Sequence, residues 1–357
     1  MSTSRAGPLT LWDGITLQTK IAANAQAMKR WLGKAETALG NHSDRLNAIN
    51  IFPVADGDTG TNLYLTVRAA TQALGHAADA GPGHHGQHDV GAVLAVAGQA
   101  AMEKARGNSG TLFSVFLCAA AEPLAGHTRL SSPLLAAALN RAQIRAWSAL
   151  SDPVPGTMLS VMEAAARAAA AVDSTLNGDD SNHALGLALD AAVQAALDAV
   201  IHTEAQLETL QAAHVVDAGG VGMLLILDCL RSAVLGEELQ SELLDGLHGY
   251  DVQDPHIHAD MPDDDGVEVM CTISLSPLDA ATLRQRLDQM GDSVIMSQLG
   301  NFADPAGKYR WRVHVHVADQ EAAVATIRAL GEPTDISVSE LAQARDAELG
   351  DFNGHER

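Results

Sequence analysis

Aromatic, cysteine and basic side chains are all scarce in this chain of 357 residues. Aromatic residues make up 3% of it although hydrophobic residues reach 47%, so small side chains such as alanine supply much of the apolar content. Small apolar side chains favour closely packed helices over a β-sandwich. The cysteines number three and are widely spaced, which excludes the disulfide framework of a small secreted protein.

The charge balance is strongly acidic. Lysine and arginine total 22 against 44 acidic residues, which gives a formal net charge of −22. This excess argues against broad contact with nucleic acid or with an anionic membrane surface. The first twenty residues have no continuous apolar segment, and apolar runs elsewhere are short. We therefore expect a cytoplasmic protein without an integral membrane segment.

Hydrophobic spacing divides the chain into segments. Residues 1–240 repeat apolar side chains every three or four positions and predict an all-helical domain. The predicted helices lie at about 15–39 (with Gly40 as its C-cap), from about 61, and at about 90–105, 109–122, 133–150, 157–172, 183–201 and 218–235. Residues 241–266 form an acidic linker, since 251–268 holds seven acids and no lysine or arginine.

The remaining residues change period. Residues 267–342 predict the order β-α-β-β-α-β, which is typical of a small ferredoxin-like α+β domain. Residues 343–357 are expected to form a mobile tail. The predicted architecture is thus a helical domain followed by a small α+β domain.

The most informative stretch is 50–62, with the sequence NIFPVADGDTGTN. Asp56 and Asp58 are separated by one glycine, and two carboxylates so close repel each other unless a cation lies between them. Oxygen ligands favour Mg²⁺, which completes its shell with water and phosphate oxygens, and a helix start at 59–62 can bind an anion. The alternative is an Asx turn that only caps the helix. An EF-hand calcium loop is excluded because its twelfth position would be Val67.

This stretch closely resembles the nucleotide-binding signature of the DhaL-like (DAK2) domain. That domain occurs in dihydroxyacetone kinases and in the catalytic subunit of bacterial fatty acid kinase, and the Asn and Phe-Pro-Val at its start match the fatty acid kinase branch better. Three further stretches follow in the family's order: ARGNSG at 105–110, PVPGTM at 153–158 and VVDAGG at 215–220. The resemblance implies a barrel of antiparallel α-helices that binds ATP with two Mg²⁺ ions.

The resemblance also assigns roles to single positions. Asp56 and Asp58 would hold the Mg²⁺ pair, with Asn50 as a further ligand. Arg106 is a candidate catalytic residue, because its fixed charge could stabilise the transferring phosphoryl group, although a lone arginine is usually a surface charge. The residues that would line the nucleotide are Thr59, Gly60, Thr61, Asn62, Asn108, Ser109, Gly156, Thr157, Met158, Asp217, Ala218 and Gly219.

One departure from the family concerns the segment before the last motif. Where dihydroxyacetone kinases have an arginine and fatty acid kinases usually a lysine, this chain has Gln211 and His214 nearby. A cationic phosphate contact is therefore expected to be missing. Each motif taken alone could simply start a helix, and the ligand-binding interpretation depends on finding four of them in order.

The predicted α+β domain carries the sequence RVHVHV at 312–317. His314 and His316 are two apart on a predicted strand and so share one face. The fatty acid kinase middle domain has a similar cysteine and V-H-V-H strand, associated with zinc, so the resemblance implies a Zn²⁺ site of Cys271, His314 and His316. Simple alternation places Cys271 on the apolar side of its strand, and a β-bulge would be needed to unite the three. The alternative is a buried cysteine and two unrelated histidines.

Together these observations predict a homodimeric ATP- and Mg²⁺-dependent kinase. By resemblance, the acceptor is a fatty acid carboxylate presented by a separate lipid-binding partner protein, and the product is an acyl phosphate. Two alternatives stay open: a kinase of dihydroxyacetone type, and a non-catalytic regulatory protein that binds nucleotide or zinc. The second is suggested by the absence, up to Arg357, of the third domain that the catalytic chains of fatty acid kinases usually carry.

Overall fold

The computed structural model describes residues 21–79, 88–250, 266–300 and 302–341. The predicted tail at 343–357 and most of the acidic stretch 251–268 lie outside these residues. The first part of the chain is helical and is called the helical domain here; the second is a sheet with two helices and is called the sheet domain. The predicted succession of a helical part and a small α+β part is confirmed.

The helical domain contains nine α-helices among its described residues. Their bounds are α1 Ala25–Ala48, α2 Thr59–Asp79, α3 Val90–Lys104, α4 Gly107–Ala121, α5 Ser132–Ala149, α6 Met158–Thr175, α7 Asn182–Gln206, α8 Glu208–Ala213 and α9 Ala218–Leu235. A short 3-10 helix follows at Ser241–Leu244. Most predicted helices start within about two residues of these bounds, and the short α8 was not predicted.

Side-chain caps fix where several helices begin. Asn24 Oδ1 accepts a hydrogen bond from the Ala27 N–H at 3.1 Å, and Ser181 Oγ accepts one from the Ala184 N–H at 3.2 Å. Such caps satisfy N–H groups that the first helical turn leaves unpaired. Helix α9 ends at Gly236, whose φ of 72° is the left-handed conformation that favours glycine.

Helix α1 differs most from its prediction. Residues 21–23 are not helical, and the helix runs through Gly40 as far as Ala48. Gly40 lies against the Tyr64 ring of α2, where an added Cβ would stand 3.2 Å from a ring carbon. The glycine therefore allows two helices to approach closely, and the predicted C-cap at Gly40 is wrong.

Helix α9 is the central element of the helical core. Every residue from Ala218 to Leu235 is buried, and Trp31 of α1 donates an indole hydrogen bond to the Ile226 carbonyl at 2.9 Å. Asp228 and Arg231 interrupt the apolar run and pair with each other, with Nε 3.0 Å from Oδ1. A buried charge pair of this kind is tolerated because each partner satisfies the other.

Two helices have the length and hydropathy that a membrane span would also need, α7 and α9. In α9 the most apolar stretch is 94% buried inside the protein, and in α7 the share is 44%. The packing of α9 against its neighbours accounts for its apolar composition.

The sheet domain consists of β1 Val267–Leu275, α10 Pro277–Asp288, β2 Gly291–Leu299, β3 Tyr309–Val317, α11 Gln320–Arg328 and β4 Pro333–Glu340. Its antiparallel strands lie in the order β2-β3-β1-β4, which is that of a ferredoxin-like sheet. Alternate residues of β1 and β3 form an apolar cluster with α10 and α11. The predicted strand and helix order is confirmed.

The other face of the sheet packs against the helical domain. Ser151 donates its N–H to the Val294 carbonyl at 3.1 Å, so the chain after α5 continues the edge of β2. Arg284 of α10 donates to the Ala149 carbonyl at 2.9 Å and to the Ser148 carbonyl at 3.2 Å, both at the carboxyl end of α5. These contacts place the sheet over one end of the helices.

Candidate functional site

The four sequence motifs meet at one end of the helical domain. They form the starts of α2, α4, α6 and α9, and their side chains line two adjoining cavities under the sheet. Helix starts carry unpaired N–H groups and a partial positive charge, so their convergence suits an anionic ligand. The fold thus unites residues that lie far apart in the sequence.

The larger cavity has a volume of about 280 Å³. Asp292 and Ser293 of β2 also line it, so the sheet domain contributes to its wall. Ser293 Oγ accepts a hydrogen bond from Asn108 Nδ2 at 3.1 Å. The predicted nucleotide residues that line this cavity are Thr59, Asn108, Ser109, Thr157, Met158, Asp217 and Gly219.

Other predicted nucleotide residues start the same helices but face elsewhere. The Gly60 and Thr61 N–H groups both donate to Asn47 Oδ1 of α1, at 2.8 and 3.1 Å, so they are not free to bind an anion in this arrangement. Asn62 is buried and hydrogen-bonds the Asp58 side chain. Gly156 and Ala218 are also buried, and neither lines the two cavities among the described residues.

Arg106 occupies the N-cap position of α4. It is exposed and lines neither of these two cavities. A charge that stabilises a transferring phosphoryl group must lie beside it. The catalytic role predicted for Arg106 therefore stays a prediction that would need its side chain to turn inward.

The acid pair lines the smaller cavity, whose volume is about 50 Å³. Asn50 links the pair to the helix start, because its Nδ2 donates to Asp56 Oδ1 at 2.5 Å and its Oδ1 accepts from the Thr59 hydroxyl. Burial and then the charge of Asp58 raise the pKa of Asp56 to about 8. Burial also raises the pKa of Asp58, opposed by its hydrogen bond from Asn62.

Two buried acids that disfavour ionisation fit a cation site. Without a cation, a buried carboxylate loses solvation and suffers repulsion from its neighbour. A divalent ion between Asp56 and Asp58 would remove both costs, and Asn50 and Thr59 offer additional oxygens within the same cavity. The residues present therefore fit Mg²⁺ held beside a phosphate group.

Asp217 is a third buried carboxyl group, at the start of α9. Its Oδ2 accepts a hydrogen bond from the Gly220 N–H at 2.7 Å, and its own N–H donates to Thr203 Oγ1 at 2.9 Å. Burial raises the pKa of Asp217 to about 7, although hydrogen bonds from the Gly220 and Met158 N–H groups act in the opposite direction. The carboxyl group therefore caps the helix and faces the larger cavity.

The predicted zinc ligand set needs a correction. Cys271 pairs with Val313 in the β1–β3 register and lies in the apolar cluster beneath α10 and α11, whereas His314 and His316 lie on the opposite face. Directly paired residues share a face, so the partners of the histidines are Met270 and Glu268, not Cys271. A bulge does occur after Met270, but only in the pairing with β4, and it leaves the register with β3 unbroken.

Glu268 takes the place that Cys271 was expected to fill. Ligand atoms of Glu268, His314 and His316 all lie within 4.8 Å of one another. His314 Nδ1 is 3.2 Å from Glu268 Oε1 without hydrogen-bond alignment, and both His314 ring nitrogens and His316 Nδ1 are buried without a hydrogen-bond partner among the described residues. Unpartnered buried nitrogens and a carboxylate fit a divalent metal ion.

The titration behaviour of this cluster agrees with metal binding. Burial, followed by the charge of His314, lowers the pKa of His316 to about 3, so its ring is neutral and can act as a ligand. Burial alone would raise the pKa of Glu268, but the hydrogen bond and charge of His314 hold it below the usual value. The cluster thus offers two imidazoles and a carboxylate.

Sequence reasoning missed Glu268 and the contribution of Asp292 and Ser293. Glu268 stands alone among apolar residues in β1 and is three positions from Cys271, so period-2 alternation already places it on the other face. Ser293 has a positive φ of 52° and lies where the β2–β3 register shifts. Such a bulge leaves no clear pattern in the sequence.

Comparisons with known proteins cover both domains. The model of the DAK2 domain matches residues 53–232, and the model of the FakA-like middle domain of fatty acid kinase matches residues 266–348. An uncharacterized protein from Staphylococcus aureus is 27% identical over 266 residues, which are 72% of this chain and 46% of that protein. A second, from another strain, is 26% identical over the same length. The chain spans about half the length of the curated relatives it matches.

Among solved structures, the dihydroxyacetone kinase from C. freundii in complex with AMP-PNP and Mg²⁺ gives a TM-score of 0.42 at 18% identity. It covers 65% of this chain and 38% of the kinase chain. The native form of the same kinase gives a TM-score of 0.41 at 19% identity, over 64% and 38% of the two chains. The DAK2 match covers half of the sequence and includes all but the start of the four converging motifs. This chain belongs to the DAK2 domain family.

Proposed function

We propose that this protein transfers the γ-phosphoryl group of ATP in the two cavities under its sheet. The observation that carries the proposal is the position of Asp56 and Asp58. They stand beside the starts of α2 and α4 in one cavity, which opens beside a second cavity lined by all four motifs. Carboxylates for Mg²⁺ beside helix starts for phosphate are the combination that a nucleotide–metal complex needs.

In this proposal the chain positions the donor and lets charge move. Asn108 and Ser109 at the start of α4 bind phosphate oxygens, while Thr157, Met158 and Gly219 shape the nucleotide cavity. Mg²⁺, when bound, neutralises charge that develops on the phosphoryl oxygens. The sheet covers the cavities and limits the entry of water, which would otherwise compete with the acceptor.

The proposed acceptor is a fatty acid carboxylate presented by a lipid-binding partner protein. One carboxylate oxygen forms the new bond to the γ-phosphorus, the bond from that phosphorus to the β–γ bridging oxygen breaks, and ADP leaves with the electron pair. A carboxylate acceptor has no proton to lose, so no general base is required. The match of residues 266–348 to a fatty acid kinase middle domain supports this acceptor.

The sheet domain adds a second proposed metal. The resemblance implies Zn²⁺, and His314 and His316 would hold it together with a carboxylate of β1. The cytoplasmic location and the homodimer stay predictions, and the dimer is open to measurement by light scattering.

The experiment compares the wild type with Asp58→Asn and with Asp44→Asn, an exposed acid on α1 that serves as the matched control. Calorimetry with ATP and Mg²⁺ should show binding to the wild type and the control, and binding at least about tenfold weaker in Asp58→Asn, because a Mg²⁺ ligand is lost. Equal binding by all three proteins would contradict the metal assignment.

The acceptor is tested by ADP release. A lipid-loaded partner should support turnover, whereas dihydroxyacetone with a sugar-binding partner should not. Turnover with dihydroxyacetone would favour the small-molecule kinase. Binding of ATP without ADP release under either condition would favour the regulatory protein.

A further inference from the structure

We infer that Glu268 completes a carboxylate–dihistidine metal site with His314 and His316, and that the site binds its ion without any cysteine. The inference concerns the sheet face and is independent of whether the acid pair takes part in phosphoryl transfer. It predicts a ligand set that differs from the cysteine-containing one expected by resemblance.

The register of the sheet brings the three side chains together. Glu268 of β1 stands directly opposite His316 of β3, and His314 lies two residues along the same strand, on the same face. The two imidazole centroids are 5.0 Å apart, and ligand atoms of all three residues lie within 4.8 Å of one another. An ion at the centre would need only small side-chain adjustments to reach normal metal–ligand distances.

Three unpartnered nitrogens provide an independent reason to expect a ligand. His314 is 0% exposed and both of its ring nitrogens lack a hydrogen-bond partner, as does Nδ1 of His316, which is 5% exposed. A buried polar group without a partner costs roughly 1–3 kcal/mol. A metal ion would satisfy a nitrogen on each ring, and Asp292 Oδ1, 3.6 Å from His316 Nδ1, is the one other acid that approaches the pair among the described residues.

The donor atoms determine which ions fit. Two imidazole nitrogens and one carboxylate oxygen suit Zn²⁺, Co²⁺, Mn²⁺ or Fe²⁺ with open coordination positions. A thiolate would favour softer ions, but the Cys271 thiol faces the apolar cluster and burial raises its pKa to about 12. Glu268 and His316 line the same cavity as Asp56 and Asp58, so open positions of the ion would face that cavity.

Glu268 also joins the site to the helical domain. Its Oε1 accepts a hydrogen bond from the Gly107 N–H at 2.9 Å, at the start of α4. This bond orients the carboxylate, as partners of metal ligands commonly do. The same side chain thus contacts the predicted phosphate-binding helix and faces the proposed ion.

The test uses Co²⁺ as a spectroscopic probe on the full chain, with excess Mg²⁺ present to occupy the acid pair. The wild type and Cys271→Ser should bind Co²⁺ equally well, with visible ligand-field bands and without a thiolate-to-cobalt charge-transfer band. Glu268→Gln should bind Co²⁺ at least about tenfold more weakly, whereas Glu332→Gln, an exposed acid of the same domain, should match the wild type.

Two results would overturn the inference. One is a charge-transfer band that disappears in Cys271→Ser, which would restore the cysteine as a ligand. The other is unchanged affinity in Glu268→Gln whose circular dichroism matches that of the wild type. If Glu268→Gln does not fold, the comparison of wild-type and Cys271→Ser spectra still decides between thiolate and carboxylate.

Discussion

The carboxyl group of Asp217 should make the helical domain less stable as the pH rises. Burial raises its pKa in the folded protein from 3.8 to about 7. Between these values the unfolded chain has released the proton and the folded chain has kept it, so the folded state loses stability as the pH increases. Replacement of Asp217 by asparagine removes the titrating group but keeps an oxygen that can accept from the Gly220 N–H.

The size of the effect follows from the pKa difference. Each pH unit corresponds to about 1.4 kcal/mol for one proton. From about pH 5 to pH 8, the free energy of unfolding of Asp217→Asn should therefore rise by about 3 kcal/mol relative to that of the wild type. The absolute offset between the two proteins also depends on the hydrogen bond from the Met158 N–H, which an amide nitrogen cannot accept, but that contribution does not vary with pH.

Urea unfolding followed by circular dichroism at both pH values measures this difference. The matched control is Asp319→Asn, because Asp319 also caps a helix, accepting from the Ala322 N–H at 3.0 Å, but is exposed. Its difference from the wild type should stay within about 0.5 kcal/mol at both pH values. A pH-independent difference for Asp217→Asn would refute the conclusion that this carboxyl group stays protonated when buried.

Further predictions concern packing and the contact between the domains. Gly60→Ala should lower the free energy of unfolding by about 2 kcal/mol, because the added Cβ would meet the Ser43 carbonyl oxygen, whereas Gly33→Ala in open space on α1 should raise it by up to about 1 kcal/mol. Denaturant unfolding measures both. Arg284→Ala should loosen the sheet domain and split thermal unfolding into two transitions, since three carbonyls lose their charged donor. The exposed Arg286→Ala on the same helix should leave calorimetry unchanged, and a single transition in both variants would contradict this role.

Local features of the sequence determined most of the predicted fold. The starts of α6 and α9 were readable because Thr157 and Asp217 are good N-caps before apolar periodic stretches. The alternation in β1 correctly placed Cys271 on the apolar side. The resemblance suggested a site that this alternation did not support, and the register between β1 and β3 decides against it.

Contacts between distant elements could not be predicted in the same way. Gly40 has the composition of a helix end, yet its role depends on a tyrosine from another helix. The contact between Glu268 and Gly107 joins residues 161 positions apart, and no periodicity in either segment indicates it. Propensity and spacing describe one element at a time, whereas the candidate site lies where the two domains meet.

The direction of the helices has a consequence for how this chain can diverge. The starts of α2, α4, α6 and α9 share one end, while the opposite end is formed by segments such as Leu130, whose N–H donates to the Ala23 carbonyl, and Gly91, which packs against Leu124. Substitutions at that distant end act on stability alone, so drift can accumulate there and be offset elsewhere in the core. Homologues should therefore differ in loop length and surface chemistry at the far end while the chemistry under the sheet is held constant.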